Sequence, residues 1–373
     1  MRHWLLCLCV VVPGPGVADT SLDVGGFLRI YAMTSNIPLD RQTRVAQRLW
    51  VPQIPLEGAN IAGGQRTNLH ARESRLWLTA STPLSAAGGE TFNAYIEYDL
   101  NESALDHRPR LRHAYVSVGP LLAGQTYTTF TNTTALADIE AAIAVGNIVT
   151  RQPMVRWTQS LPAEGLQLSI ALEAARTRSI SQTEAGIRQD QQDTPPDLVL
   201  RLDHAWAGGN WSVAGISRRI TVGDPGQETH SRRGNAISLA GRINTGVLHN
   251  LRYMFSAGDG LARYVTLSAY PDVAVDFNGE PVLNRVQSAM VAYQHFWNPR
   301  LRSTLAWSGS RSRLPMWVDE SLTRRASHTN VNLVWAWRAD TSVGLEYMAA
   351  SRELVGGRSG PLRRLQFTLR FNF

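Results

Sequence analysis

The last nine residues of the chain alternate without interruption between apolar and polar side chains. The apolar members are Leu365, Phe367, Leu369, Phe371 and Phe373, and the polar members between them are Gln366, Thr368, Arg370 and Asn372. Successive side chains of a β-strand point to opposite sides of the sheet, so this segment predicts a strand with one apolar and one polar face. Protein covers the apolar face in a soluble fold and lipid covers it in a membrane fold, and this strand alone is compatible with both.

The same two-residue period recurs along the chain, and almost no helical pattern competes with it. It predicts sixteen strands, to within two, at residues 26–34, 71–80, 91–100, 110–118, 121–125, 154–159, 166–173, 198–205, 211–218, 236–243, 251–258, 287–295, 301–308, 329–337, 343–351 and 362–373. An even number of antiparallel strands is usual for single-chain membrane β-barrels, and a barrel of about this size encloses an aqueous channel. The chain is therefore predicted to be an all-β, transmembrane, antiparallel β-barrel.

The predicted connections alternate between short turns and long polar segments. Short turns occur at 81–89, 119–120 and 207–209, whereas long segments occur at 35–68, 176–196, 259–285 and 309–325. Membrane barrels have short turns on the periplasmic side and long loops on the outside, whereas a soluble sandwich has no reason to alternate them. The order of the connections therefore favours the membrane fold.

The first eighteen residues have the features of a cleaved signal peptide. Arg2 provides the positive start, residues 5–12 form an apolar core, and residues 16–18 offer a small-residue cleavage site. Residues 19–373 then form one porin-like β-barrel domain. Both cysteines, Cys7 and Cys9, lie in the signal segment, so neither a disulfide framework nor a thiolate metal site is expected in the mature protein.

Every basic residue other than histidine is an arginine. The 37 lysine and arginine positions are all arginine, and the formal net charge is +7, which becomes +6 when Arg2 is removed with the signal peptide. Arginine binds carboxylate and phosphate groups through two parallel hydrogen bonds. Export makes nucleic acid an improbable partner, so we expect a small anionic solute or an anionic lipid surface instead.

Several segments resemble the DcaP-like trimeric porins of the bacterial outer membrane. The resemblance is carried by residues 25–31 (Gly-Gly-Phe-Leu-Arg-Ile-Tyr), 71–79 (Ala-Arg-Glu-Ser-Arg-Leu-Trp-Leu-Thr), 95–99 (Tyr-Ile-Glu-Tyr-Asp), 111–115 (Leu-Arg-His-Ala-Tyr) and 121–126 (Leu-Leu-Ala-Gly-Gln-Thr). It is specific over residues 25–160; after that, only the alternation and the terminal Phe373 match. It implies a sixteen-stranded barrel, a homotrimer, and diffusion of small, preferentially anionic solutes. The chain lacks the N-terminal coiled-coil extension that some members carry.

The third long loop of a porin folds into the lumen and narrows it, and here residues 127–152 should form this constriction loop. Residues 135–144 predict a short helix that ends at Gly146 and Asn147. This segment is apolar for a solvated loop, so we expect it to pack inside the barrel wall. Asp138 and Glu140 should face the lumen or pair with arginines of the wall. A contact with another subunit or another loop is the alternative.

The strand period places a set of arginines on the inward face. They are Arg29, Arg75, Arg110, Arg112 and Arg156, with Arg201, Arg242, Arg364 and Arg370 as further candidates. A basic residue on the lipid face at mid-bilayer costs about 2–4 kcal/mol, so the lumen is favoured. The predicted pore-lining and constriction residues are Arg29, Arg75, Glu97, Asp99, Arg112, Asp138, Glu140 and Arg156. Arg75, Arg112 and Arg156 are the candidate anion-selective ladder, and pairing of individual arginines with neighbouring carboxylates is the alternative.

No catalytic or cofactor motif is present. The nine histidines are scattered without metal-ligand spacing, and His113 and His295, formally on the outward register, lack a defined serine partner for a barrel phospholipase. We therefore predict no cofactor, no metal and no enzymatic activity. The expected function is an outer-membrane porin for small anionic solutes such as carboxylates. A weakly selective general porin, or a non-conducting barrel used as an adhesin or anchor, is the alternative. Outer-membrane lipid and, through Phe373, the barrel assembly machinery are the other expected partners.

Overall fold

The computed structural model describes residues 20–36, 49–58, 66–84, 89–101, 108–140, 144–182, 187–190, 195–223, 229–265, 269–315 and 317–373. The predicted signal peptide and both cysteines lie outside these residues. The described strands are β1 Ser21–Ser35, β2 Arg66–His70, β3 Arg75–Pro83, β4 Thr91–Asp99, β5 Arg110–Val118, β6 Leu121–Tyr127, β7 Arg151–Ser160, β8 Leu166–Glu173, β9 Thr177–Ser181, β10 Arg188–Asp190, β11 Asp197–Trp206, β12 Gly209–Val222, β13 His230–Asn244, β14 Asn250–Asp259, β15 Val273–Val275, β16 Pro281–Leu283, β17 Arg285–Asn298, β18 Leu301–Arg313, β19 Thr323–Ala336, β20 Thr341–Leu354 and β21 Ser359–Asn372.

Helical structure in the described residues is limited to three short 3-10 turns, at Val51–Gln53, Thr133–Ala135 and Ala262–Tyr264. Among these same residues there is no helix of the length and apolarity needed to cross a membrane.

Pairing of the first and last strands closes the main sheet into a barrel. β1 pairs with β21 on one side, from Phe27 opposite Asn372 to Ser35 opposite Arg364, and with β3 and β2 on the other side. β2 and β3 are therefore two parts of one barrel strand, interrupted at residues 71–74. The result is a closed barrel of sixteen antiparallel strands, which confirms the predicted fold and strand number.

The alternation of side chains along the strands matches the two surfaces of the barrel. On β21, Leu365, Phe367 and Phe371 are 44–45% exposed, whereas Arg364, Gln366 and Thr368 are at most 3% exposed. The apolar series therefore faces outward and the polar series faces inward, as predicted. Short turns join strands at one end of the barrel, for example at Pro299 and Arg300, and the longer connections lie at the other end.

Two of the long connections contain strands that the alternation does not predict. β9 and β10 lie between β8 and β11, and β15 and β16 lie between β14 and β17. They form a separate four-stranded sheet in which β9 pairs in parallel with β15. These strands have three to five residues each, which is too short for a two-residue period to be recognised in the sequence.

The inward face is polar on part of the barrel only. On the rest of the wall, buried apolar residues such as Met254, Met290 and Met348 pack against apolar residues of the loops, including Phe130 and Ile148. The barrel thus has an internal apolar core in addition to its outward apolar belt. Loop residues, and not water, therefore cover this part of the inner wall.

Closure of the barrel should depend on the absence of a side chain at Gly26. Gly26 and Phe373 exchange two backbone hydrogen bonds, of 3.0 and 3.1 Å, and a Cβ at Gly26 would lie 2.6 Å from both the Phe373 ring and the Arg75 carbonyl oxygen. We expect Gly26→Val to lower the thermal unfolding midpoint by an overpacking cost of about 1–3 kcal/mol. The measurement is the temperature at which the folded band is lost in a heat-modifiability gel. Gly215→Val is the control, because an added Cβ at Gly215 meets no atom within 4 Å; equal midpoints for both variants would contradict the prediction.

Candidate channel lining

The connection between β6 and β7, residues 128–150, folds into the barrel and is called L3 below. Its first half follows the inner wall from β8 onward: Thr129 N–H donates to Glu173 (2.6 Å), the Thr131 carbonyl accepts from Arg201 (2.6 Å), and Asn132 donates to Ser212 (3.0 Å). The Leu136 carbonyl then accepts a hydrogen bond from Arg252 on β14. Wall side chains thus bind the loop at successive strands around the barrel.

The two acidic residues of L3 lie further along the same path. Asp138 accepts hydrogen bonds from Gln294 (2.6 Å) and Arg302 (2.7 Å), on β17 and β18. Glu140 reaches the closing strands: its N–H donates to Glu346 (2.6 Å) and its carbonyl accepts from Gln366 (2.9 Å).

The Glu140 carboxylate lies 4.0 Å from the Arg29 guanidinium on β1. Asp138 and Glu140 thus contact arginines on two different strands, β18 and β1.

The predicted helix at residues 135–144 is wrong for its described part. A 3-10 turn covers Thr133–Ala135, no helix covers 136–140, and residues 141–143 lie outside the described residues. The physical reason is that wall side chains satisfy the backbone groups of Leu136, Asp138 and Glu140. A helix would direct these groups to its own turns, and the loop would lose its attachment to the wall.

The second half of L3 packs closely against β17 and β18. Val145 N–H donates to His328 (3.3 Å) and Gly146 N–H donates to Ser308 (2.6 Å). A Cβ at Gly146 would lie 2.2 Å from the Ala289 carbonyl oxygen, so only glycine fits this close approach.

Two other extracellular segments also fold inward, and the sequence analysis did not predict them. Leu49, Val51 and Ile54 are at most 2% exposed and belong to the same internal core as L3. Between β14 and β15, Leu261 and Tyr264 are fully buried in that core.

A buried ionic cluster fixes the second of these segments. Arg218 on β12, 2% exposed, is 3.0 Å from both Asp197 and Asp272, and it also bonds to the Gly260 carbonyl. Arg263 bonds to Gln152 and lies 3.4 Å from Asp197. The loop between β14 and β15 is therefore tied to β7, β11 and β12.

The inward face of β3–β7 carries charged residues in place of an apolar core. Arg112 is buried between Glu97, which its Nε contacts, and Asp99 at 2.9 Å, and it also donates to the Tyr127 hydroxyl (3.2 Å). Arg110 makes a two-point contact with Asp99, at 2.6 and 2.9 Å. Arg75 lies 3.7 Å from Glu97.

Three guanidinium groups surround the ring of Phe27. Arg370, Arg75 and Arg29 lie 4.0, 5.3 and 5.5 Å from the ring centroid. They come from β21, β3 and β1, which are adjacent at the closing seam. An aromatic face attracts cations, and Glu73 and Glu140, each 4.0 Å from Arg29, offset part of the repulsion between the arginines.

A β-bulge on β5 turns two consecutive side chains inward. The register with β4 shifts between Glu97 and Tyr98, so Arg112 has no directly opposite partner and His113 lies opposite Glu97. His113 is 7% exposed and is 2.9 Å from the Thr126 hydroxyl. The formal assignment of His113 to the outward register is therefore wrong, because a bulge shifts the side-chain parity by one residue.

The predicted site residues fall into three groups. Arg29, Arg75, Glu97, Asp99, Arg112 and Glu140 lie together near the closing seam and β4–β5. Asp138 lies apart, with Arg302. Arg156 lies lower on β7, in the electrostatic neighbourhood of Arg201 and Asp203, so it is not a neighbour of Arg75 or Arg112.

Arg151 was not predicted from the sequence to be a site residue. Its guanidinium lies 5.4 Å from the centroid of the Tyr127 ring. Arg151 falls on the outward parity of β7, so the alternation gave no signal. It lines a cavity of about 250 Å³ together with Val149, Thr150, Gln152, Arg176, Arg178 and Arg263. Four arginines therefore meet at this cavity, next to the extracellular end of β7. Within the described residues, no group of three or more His, Cys, Asp or Glu side chains is placed to hold a metal ion.

Most of the chain matches one known protein family. The family model for the DcaP outer membrane protein matches residues 42–373. The chain is similar in structure to the outer-membrane channel DcaP of Acinetobacter baumannii, with a TM-score of 0.81 and 20% identity over 95% of this chain and 97% of that chain. No curated protein sequence matches it.

Two more distant outer-membrane proteins share the fold. The anion-selective porin from Comamonas acidovorans has a TM-score of 0.58 and 12% identity, over 95% of this chain and 100% of that chain. A trimer form of Vibrio cholerae OmpT has a TM-score of 0.59 and 10% identity, over 95% and 99%. These neighbours are thus an outer-membrane channel, a porin and an outer-membrane protein.

Displacement of L3 should change conduction. In Gly146→Val the new side chain collides with the Ala289 and Gly309 carbonyl oxygens, at 2.2 and 2.7 Å for the Cβ alone, so L3 must move off the wall toward the lumen. We expect a lower and noisier single-channel conductance in planar bilayers. Gly215→Val, on the open outer face, should conduct like the parent. A Gly146→Val channel with unchanged conductance would rule out this position for L3.

Loss of the buried Arg218 guanidinium at the extracellular mouth of the barrel should destabilise the protein. Arg218→Ala leaves Asp197 and Asp272 without their shared partner, and breaking a buried ion pair typically costs about 3–5 kcal/mol. We expect a lower midpoint of chemical unfolding in detergent, followed by tryptophan fluorescence. Arg285→Ala removes an exposed ion pair with Asp259 and should leave the midpoint unchanged. Equal midpoints for the two variants would contradict the structural role of the cluster.

Proposed function

Because this chain belongs to the DcaP family of outer-membrane proteins, we propose that it is a porin selective for small anionic solutes, carboxylates in particular. The proposal goes beyond family membership in two respects, the sign of the preferred charge and the residues responsible for it. The observation that carries it is an excess of arginine on the part of the lumen wall that the apolar core leaves uncovered.

That uncovered wall is formed by the closing seam and by β3–β7. The arginines grouped around Phe27, Tyr127 and Asp99 are Arg29, Arg75, Arg110, Arg112, Arg151 and Arg370, and the carboxylates bonded to them or nearest to them are Glu73, Glu97, Asp99 and Glu140. Six cations face four anions, so this part of the wall keeps a positive charge even if each carboxylate is ionised. Rings of arginine at a narrow passage favour anions over cations.

The arginines differ in how they contribute. Arg112 is locked between Glu97 and Asp99, so this trio sets the shape of the wall. Arg75 and Arg370, beside Phe27, have guanidinium groups less fully paired with carboxylate and are our candidates for direct contact with a passing anion. Glu140 narrows the passage opposite Arg29, and Asp138 attaches L3 to Arg302.

The arginine-lined cavity beside β7 is the proposed point of entry. Arg151, Arg176 and Arg178 would concentrate anions at the extracellular mouth before the solute reaches the inner arginines, whereas Arg263 is occupied by Gln152 and Asp197. Arg156 would act at a lower level, on the way to the periplasm. This arrangement replaces a single ladder through Arg75, Arg112 and Arg156 with two successive basic regions.

Assembly and export complete the proposal. We infer a homotrimer, for which the similarity to an outer-membrane protein solved in a trimer form is the support. Residues 1–18 would be removed during export, so that the mature chain begins near Asp19. Phe373, exposed at the end of β21, is available to the barrel assembly machinery.

Two alternatives are distinguished by conduction. A weakly selective general porin would conduct with a reversal potential near zero in a salt gradient. A non-conducting adhesin or anchor would give no current, whereas a trimeric porin should give currents that close in three steps.

The charge preference should depend on Arg75 and Arg370. In the double variant Arg75→Gln with Arg370→Gln, two positive charges leave the lumen, and we expect the chloride-to-potassium permeability ratio to fall about fivefold, equivalent to roughly 1 kcal/mol. The measurement is the reversal potential in a tenfold salt gradient across a planar bilayer. Arg219→Gln with Arg363→Gln removes the same charge from the outer surface and is the matched control.

The dependence of the permeability ratio on salt concentration provides a second test. Screening shortens the Debye length from about 10 Å at 0.1 M to about 3 Å at 1 M, so the selectivity of the parent should weaken at high salt. An unchanged permeability ratio in the lumen variant, or an equal fall in the control, would remove the proposed role of these arginines.

A further inference from the structure

The outward face of β17–β20 changes character toward the extracellular end. On β18 the outward residues run from Leu305 and Trp307 through Gly309 to Arg311 and Arg313, and Arg311 is exposed. On β19, Leu333 and Val331 are followed by Thr329, Ser327 and then Arg325. This exposed basic end lies outside the lumen and has no part in the channel described above.

Three groups of this end lie side by side across the sheet. Arg311 is directly opposite Arg325 on β19 and opposite Gln287 on β17, and its Nε donates to the Gln287 side chain (2.6 Å). A β-bulge between Thr323 and Arg325 adds another cation, because it leaves both Arg324 and Arg325 exposed. Among the described residues, the carboxylate recorded beside these arginines is Glu353, which lies 3.9 Å from Arg324 and opposite Arg325 in the sheet, so three arginines share one acid.

A groove of about 420 Å³ lies beneath these arginines on the outer surface. The outward residues Ala289 and Gly309 line its base, Trp307 lies toward the periplasmic side, and Arg311, Arg325, Gln287 and Ser327 line the extracellular side, with Ser288, Ser310 and Ala326, whose side chains are buried, completing the lining. The groove exists because Gly309 has no side chain: a Cβ there would lie 3.3 Å from the Trp307 ring. Its base is apolar and its extracellular rim is basic.

The height of the groove corresponds to one boundary of the membrane. Ten residues separate Arg311 from Leu301, where β18 leaves the short turn. At about 3.3 Å per residue and a tilt of about 40°, this distance is roughly 25 Å along the barrel axis, which equals the usual height of the apolar band. Arg311 and Arg325 therefore lie where lipid head groups of the outer leaflet meet the acyl chains.

We propose that this groove binds a phosphorylated lipid of the outer leaflet, with an acyl chain against Trp307 and Gly309 and a phosphate on Arg311 and Arg325. Paired guanidinium groups bind phosphate oxygens through parallel hydrogen bonds, and Gln287 holds one of them in place. Charge complementarity selects an anionic head group, and the apolar base selects a lipid rather than a free anion. The site rests on the membrane placement of the barrel and not on what the lumen conducts.

The test measures lipid binding to the full-length, refolded protein by native mass spectrometry. The probe is lipid A carrying two phosphates, offered in detergent micelles, with dephosphorylated lipid A as the matched lipid. We expect the parent to retain the phosphorylated probe at least tenfold more tightly than the dephosphorylated one. Equal retention of both would overturn the proposal, and this comparison needs no variant.

Variants test the basic rim and the apolar base of the groove separately. Arg311→Gln with Arg325→Gln should lower the affinity for phosphorylated lipid A at least tenfold, and Gly309→Leu should lower it by filling the base while preserving the charge. Arg219→Gln with Arg363→Gln, elsewhere on the outer face, should bind like the parent. An equal loss in that control would mean general attraction to charge.

Two further results would also contradict the proposal. Displacement of lipid A by equimolar inorganic phosphate would identify a free-anion site. A change of oligomeric state in the Arg311/Arg325 variant, at unaltered lipid binding, would identify a contact between copies of the chain. Heat-modifiability gels verify that each variant is folded before it is compared.

Discussion

The hydrogen-bonding groups of the backbone impose the constraint on which this structure depends. A strand in hydrocarbon cannot pair with water, so each backbone donor and acceptor must find another strand and the sheet can have no open edge. β1 and β21 meet this requirement by pairing from Phe27 opposite Asn372 to Ser35 opposite Arg364. Closure then gives every strand one face toward lipid and one toward the interior. The two-residue alternation of the sequence is the chemical consequence of that geometry.

The interior is organised by side chains that bind the backbone of L3. Arg201, Arg252, Asn332, Glu346 and Gln366 contact the loop from successive strands. Because they satisfy its polar groups, L3 can lie on the wall without forming a helix. The apolar core follows L3 along one part of the wall and leaves the arginines of the closing seam and β3–β7 on the other. The proposed anion preference rests on this division of the wall.

Bulges are used on both faces of the barrel to present consecutive side chains in the same direction. At Arg112 a bulge places Arg112 and His113 inward, and at Arg324 another places Arg324 and Arg325 outward. In each case one extra residue converts a strict alternation into a local concentration of basic or polar groups. The first helps to shape the lumen, and the second lies beside the outer groove. Each coincides with two consecutive polar residues in the sequence, Arg112 with His113 and Arg324 with Arg325.

The architecture could be predicted from the amino-acid sequence, because the two-residue period is a local property of each strand and recurs sixteen times along the chain. The faces of β21, the even strand number and the order of short turns and long loops all followed from it. It also identified Arg29, Arg75 and Arg112 as inward, and the resemblance to DcaP-like porins indicated the family.

Tertiary structure alone decided which residues meet. The bulge before His113, the position of Arg151 and the extended path of L3 depend on partners that are distant in sequence, such as Thr126, Tyr127 and Glu346. The two-residue alternation assigns a side chain to the inner or outer face of the barrel, but it does not give its level along the barrel axis or its neighbours. For this reason Arg156 and Asp138 were assigned to the lumen but not to their actual surroundings, which depend on the register between strands and on the loops folded inside the barrel.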